Sequence, residues 1–257
     1  MAEMGADVLN VGGVSLETRR IGGDPARPTL VLLHEGLGSV SLWRDFPDQL
    51  AAVTGHPVLA FSRAGYGRSD PVDLPRPLDY MQREGRDVLP RLLDAAGLDR
   101  VVLVGHSDGA SIALVHAGSS AGTRVEKVVV MAPHTFVEPI CLTSIRAARE
   151  AYLNSDLRDR LQRHHGANTD CAFWGWNDSW LAPDFVHWDI RGFLPAVGVP
   201  VLVIQGQDDE YGTILQVDAI RGAVPGGAAT LLLPDCGHSP HRDQPGAVLA
   251  AIGAFLR

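Results

Sequence analysis

Ser107 sits in Val101-Val102-Leu103-Val104-Gly105-His106-Ser107-Asp108-Gly109-Ala110-Ser111, where a short apolar, mostly β-branched run meets Gly-x-Ser-x-Gly and then a stretch of small and apolar residues. A strand that turns into a helix within a few residues crowds the backbone. Glycines are needed on both sides, and the turn pushes the central serine above the sheet, within reach of a substrate. A serine hydroxyl is a poor nucleophile until a base takes its proton, and the base must be held in the right tautomer by an acid. Candidates for both follow later in the chain. The apolar run 199–205 leads into Gly206-Gln207-Asp208-Asp209-Glu210, and the run 229–233 leads into Pro234-Asp235-Cys236-Gly237-His238-Ser239-Pro240-His241. The chemistry these residue types offer is acyl transfer from a serine nucleophile.

The elements that must position them alternate. A hairpin is expected at 8–11 and 15–20 around Gly12-Gly13, strands at 29–34, 58–61, 101–104, 125–131, 199–205 and 229–233, and helices at 41–53, 78–96, 110–117, 213–223 and 245–256. Strands alternating with helices point to an α/β chain with a mainly parallel sheet covered on both faces. From residue 134 to about 195 the alternation stops, with helices expected at 143–153, 156–165 and 168–181. Trp174, Trp176, Trp180 and Trp188, four of the five tryptophans, fall in this stretch. The expected organisation is therefore a core of 1–133 and 196–257 interrupted by a helical insertion at 134–195.

Composition removes several function classes. A net charge of −8 and a sequence pI near 5.6 argue against nucleic acid or an anionic membrane surface as partner. Lys127 is the only lysine and is followed by valine, so no phosphate loop ending in Gly-Lys-Ser/Thr is present. Residues 1–10 lack the basic start and apolar core of a signal peptide, and no apolar run approaches a membrane span. Cys141, Cys171 and Cys236 are odd in number and form no Cys-x-x-Cys pair, which fits reduced thiols in a cytoplasmic protein. No metal cluster is apparent. The stretch His34-Glu35-Gly36-Leu37-Gly38 is not a dinucleotide fingerprint, because Ser41 stands where the third glycine belongs. No cofactor is expected.

Five segments taken in order resemble the α/β-hydrolase superfamily: the His34–Gly38 loop, the Arg63-Ala64-Gly65-Tyr66-Gly67-Arg68-Ser69 turn, the Ser107 elbow, the acidic turn and the histidine loop. The resemblance implies the α/β-hydrolase fold, with the insertion as a helical lid. It implies Ser107 as nucleophile, Asp209 as acid with Asp208 its neighbour and rival, and His238 as base with His241 its rival. It also implies an oxyanion hole made by the backbone N–H of Asp108 and of Gly36, with Leu37 second in line. Glu35 replaces the first glycine of the family's His-Gly-x-x-Gly loop and brings a carboxylate close to the site, where Arg63 is a candidate partner. Glu35, Leu37, Trp174, Trp176 and Trp180 are candidate substrate-binding residues. The implied reaction is hydrolysis of a small ester or lactone with an apolar or aromatic part. The alternatives are carbon–carbon cleavage of vinylogous diketones, hydrolysis of α-amino-acid esters as in valacyclovir hydrolase, whose elbow also carries Ser-Asp-Gly, and a non-catalytic small-molecule binder. Beyond that small molecule, a homodimer is the one association left open.

Overall fold

The computed structural model describes residues 7–257. The first six residues, which carry much of the expectation that no leader peptide is present, lie outside the described residues. Eight strands form one sheet in the order β1-β2-β4-β3-β5-β6-β7-β8. β1 (Asp7–Val11) and β2 (Val14–Ile21) are the expected hairpin, closed by Gly12 and Gly13 at φ 63° and 94°, backbone angles that glycine adopts without a Cβ penalty. β2 joins β4 antiparallel, and every later pairing is parallel. The parallel strands are β3 (Thr29–Leu33), β4 (Val58–Phe61), β5 (Val101–His106), β6 (Val125–Met131), β7 (Val201–Gly206) and β8 (Ala229–Leu233).

The central strands are buried on both faces, so they read as continuous apolar runs rather than alternating ones. Helices cover both sides. α1 (Phe46–Thr54) packs against α10 (Pro245–Leu256) on one face. α2 (Tyr80–Arg83), α3 (Leu89–Ala96) and α4 (Asp108–Ala117) lie on the other. α5 (Pro139–Asn154), α6 (Leu157–His165) and α7 (Thr169–Leu181) form the helical run between β6 and β7, and α8 (Ile214–Ala223) and the short α9 (Pro240–Asp243) complete the set.

Two prolines shape helices that periodicity alone placed too simply. The expected helix at 41–53 is divided: a short turn at Val40–Trp43 ends at Arg44, whose φ is 55°, and α1 begins at Phe46 with Pro47 in its first turn. A proline fits there because the first-turn N–H groups have no helical acceptor. The expected helix at 78–96 is continuous from Tyr80, but it widens to i→i+5 winding over Glu84–Val88 just before Pro90. The ring of Pro90 clashes with the carbonyl four residues back, and the wider turn relieves the clash. The wide segment also leaves the carbonyl of Gly85 free to accept a hydrogen bond from His116 Nδ1 at 2.8 Å.

Candidate active site

Ser107 is the hinge between β5 and α4, with φ 52° and ψ −119°, an uncommon angle for a residue with a side chain. The two flanking glycines have separate reasons. A Cβ on Gly105 would strike the backbone of Gly109 and Ala110, and one on Gly109 would strike the carbonyl of Leu33. The elbow is therefore wedged between its own helix and β3, and the strained serine is held from both sides.

Ser107 Oγ donates to His238 Nε2 at 2.9 Å, and His238 Nδ1–H donates to Asp209 Oδ1 at 2.8 Å. The loops after β5, β7 and β8 thus meet at one end of the sheet, as expected where parallel strands all present their carboxyl ends. Asp209 is buried and its carboxylate is well supplied with donors: Gln205 Nε2 at 2.6 Å and the backbone N–H groups of Tyr211 and Gly212 at 2.8 and 3.2 Å. Burial alone would raise its pKa, but the hydrogen bond and charge of His238 outweigh that and hold the carboxyl below its ordinary value. Asp208 is exposed and faces solvent. His241 is buried under the site, its ring against Trp43, Phe46 and His106 at centroid distances of 4.9, 5.3 and 4.8 Å. Of each rival pair, one member reaches the serine–histidine line and the other does not.

A cavity of about 260 Å³ opens over Ser107 and His238. Gly36, Leu37 and Asp108 line it, and among the described residues none of their backbone N–H groups meets a protein acceptor. Asp108 opens α4, whose first N–H groups have no intrahelical partner and whose dipole favours negative charge there. Trp176 and Trp180 form part of the wall, with Cys141 and Ile145 of α5. Trp176 lies so close to Gly36 that any Cβ there would enter its indole ring. Trp174 is elsewhere: it packs on Tyr152 and Phe173, lies under the Arg149 guanidinium, and borders a separate groove with Leu74 and Leu78. Two residues along a helix is a turn of roughly 200°, so Trp174 and Trp176 cannot share a face.

Two carboxylates lie near the site, and Glu35 has a different partner from the Arg63 expected for it. Arg63 pairs with Asp108, Nη2 to Oδ2 at 3.7 Å, and gives Glu35 only a hydrogen bond to its backbone carbonyl at 2.9 Å. Asp108 also accepts from Tyr80 Oη at 2.5 Å and Trp180 Nε1 at 3.3 Å, and burial pushes its pKa up against these contacts. The Glu35 side chain instead faces His106 Nδ1 at 3.5 Å. Sequence reasoning passed over Tyr80, Gln205, Tyr211 and His134. Tyr211 and His134 flank the His238 ring at 4.6 and 5.5 Å, and burial drives His134 down to about 3, so it stays neutral. The residue types alone carried no signal for these, because Tyr80, His134 and Tyr211 act on groups brought in by the fold and Gln205 is aimed at Asp209 only by the turn between them. No group of three or more histidine, cysteine or acidic residues among the described residues is placed to hold a metal ion.

Comparison with known proteins follows the same lines. Residues 30–252 match the alpha/beta hydrolase family. The chain is similar to the serine hydrolase BPHL of Homo sapiens, 29% identical over 240 residues that cover 90% of this chain and 79% of that protein. A proline iminopeptidase of Levilactobacillus brevis is 25% identical over 278 residues, covering 92% and 91%. Among solved structures, the enol-lactonase from Burkholderia xenovorans superposes with a TM-score of 0.72 at 22% identity, over 97% of this chain and 99% of that one.

Proposed function

The chain belongs to the alpha/beta hydrolase family, and on that premise we propose that it is a serine hydrolase cleaving a small ester or lactone through an acyl-enzyme. One observation carries the reading: an unbroken hydrogen-bond line from Ser107 Oγ through the His238 ring to Asp209, at 2.9 and 2.8 Å, under a cavity lined by free backbone donors. Ser107 Oγ attacks the substrate carbonyl as His238 Nε2 takes its proton. Asp209 keeps Nδ1–H pointed at itself and stabilises the imidazolium that forms. The carbonyl oxygen becomes an oxyanion facing the N–H groups of Gly36 and Asp108. His238 then protonates the leaving alcohol, and a water activated by the same nitrogen releases the acid and restores Ser107.

The helical run from α5 to α7 acts as the lid in this reading, since Cys141, Ile145, Trp176 and Trp180 wall the cavity. The cavity volume of about 260 Å³ and these two indoles favour a compact acyl group with an apolar or aromatic part. The three cysteines are free thiols, which supports a reducing, cytoplasmic setting. The deciding experiment is a screen of p-nitrophenyl esters, lactones and a vinylogous diketone with wild type and Ser107→Ala. Ester or lactone turnover that falls by about 10⁴-fold or more in the alanine variant is expected. Activity retained by Ser107→Ala would overturn the covalent mechanism, and turnover of the diketone alone would move the reading to carbon–carbon cleavage.

A further inference from the structure

Glu35 and His106 are polar groups at this centre that neither the proton path nor the oxyanion site uses. Glu35 follows β3 on the oxyanion loop, in place of the glycine that similar loops carry, and His106 ends β5 immediately before the nucleophile. The His106 ring is 1% exposed, and its Nε2–H donates to the backbone carbonyl of His238 at 2.7 Å. Its other nitrogen, Nδ1, faces Glu35 Oε2 at 3.5 Å, an ion-pair separation. Gly38 makes this possible: a Cβ there would strike the Glu35 carboxylate, which folds back over its own loop. His241, His238 and Trp43 surround the ring at centroid distances of 4.8, 5.3 and 6.4 Å, and Asp209 and His134 are the other titratable groups facing it. Burial alone would lower the basicity of His106, but the Glu35 carboxylate more than reverses this and raises it. A protonated ring has an N–H for each neighbour, one toward Glu35 and one toward the His238 carbonyl.

We propose that Glu35 and His106 are positioning residues that tie together the oxyanion loop after β3, the elbow after β5 and the histidine loop after β8. The carboxylate on the oxyanion loop holds the ring at the elbow, and the ring clamps the main chain of the histidine loop. His238 lies in an irregular segment between β8 and α9, yet its ring must meet Ser107 and Asp209 at once. Such a side chain needs its backbone fixed, because a small misplacement of a catalytic group is costly.

The test rests on the serine-hydrolase reading for its kinetic arm only. His106→Asn ends its amide near the Nδ1 position and cannot reach the carbonyl. It should lower kcat for a p-nitrophenyl ester roughly tenfold or more with little change in KM. His106→Gln places an amide nitrogen near the Nε2 position and should recover most of that loss. Equal losses in the two variants, or an effect confined to KM, would sink the clamp. The second arm needs no substrate. The His106 Cε1–H resonance of the full-length protein, followed by NMR across pH, should titrate above 6.5 in wild type and move down in Glu35→Gln. A titration that ignores the Glu35 change would remove the carboxylate from the proposal. If wild type turned over no ester, lactone or diketone, the enzymatic reading would have failed, and the NMR titration would still decide the pairing.

Discussion

Asp209 and Asp208 are adjacent and chemically identical, so only the loop after β7 decides between them. Asp209 points inward because four donors await it: Gln205, the N–H groups of Tyr211 and Gly212, and the His238 ring. Asp209→Asn should therefore cost about 10³–10⁴-fold in kcat, since an amide would leave the imidazole in the wrong tautomer. Asp208→Asn should cost less than about tenfold, and steady-state kinetics on one ester, with the reverse ranking as the failing result, would check both. Asp108 argues at the same scale about substrate choice. Its carboxylate already holds Arg63, Tyr80 and Trp180, and Glu35 already faces His106. Asp108 is not free to hold an α-ammonium group, and Glu35 at the cavity wall shares its charge with His106, so α-amino-acid esters and their desamino counterparts should be hydrolysed at kcat/KM values within a few-fold of each other. A preference of roughly tenfold or more for the amino series, lost in Asp108→Ala, would show that the substrate displaces Arg63.

At the scale of the element, helix α7 sorts its tryptophans by face. Trp176 and Trp180 stand four residues apart and wall the cavity, whereas Trp174 packs on Phe173 and Tyr152. Trp176→Ala should weaken kcat/KM for an aryl ester roughly three- to tenfold, the range of an aromatic contact, while Trp174→Ala leaves it unchanged and lowers stability. Equal kinetic effects from the two substitutions would contradict the facing read from the helix. The existence of this helix was legible in the sequence, and so was every strand of the sheet, the central ones because apolar runs bounded by glycine and proline mark buried strands whatever their partners, and the edge pair β1 and β2 through the Gly12-Gly13 turn. The breaks were less legible. Pro47 and Pro90 were visible, but whether a proline starts, widens or ends a helix depends on what packs beside it. α9 was too short for any periodicity to register.

The whole molecule explains which parts of the site could be read in advance. Ser107 and Asp209 announce themselves because each sits in a turn beside glycines that the packed backbone demands, Gly105 and Gly109 at the elbow and Gly206 against the Cys236 carbonyl, whereas His238 was legible only through the Gly-His pattern of the loop after β8. Tyr80 and the Glu35–His106 contact do not, because their partners lie far off in the chain; Gln205 and Tyr211 lie within four residues of Asp209, but only the fold of that turn aims them at it, and the partner expected for Glu35, Arg63, went to Asp108 instead. The same burial that assembles the site stores a pH dependence. Burial lowers the pKa of His134 from 6.5 to about 3 and takes His34 and His241 well below 6.5. For a base whose folded pKa is depressed, the unfolded chain binds more protons between the two values. The stabilisation is present above 6.5 and is lost as pH falls. His106, raised by Glu35, works in the opposite sense, and its contribution is present below 6.5 and lost as pH rises through its folded value. Below 6.5 His106 adds no slope, while His116, His164 and His165 are also lowered by burial, so stability falls toward acid, most steeply through the deeply buried rings of His34, His134 and His241. Each of these last three should contribute about 1.4 kcal/mol per pH unit below 6.5. Urea unfolding at pH 7.5, 6.5, 5.5 and 4.5 should show stability falling steeply below 6.5, and His134→Asn should make that fall shallower by about one histidine's share. A flat profile, or an unchanged slope in the variant, would mean that the buried rings take up protons without unfolding the chain.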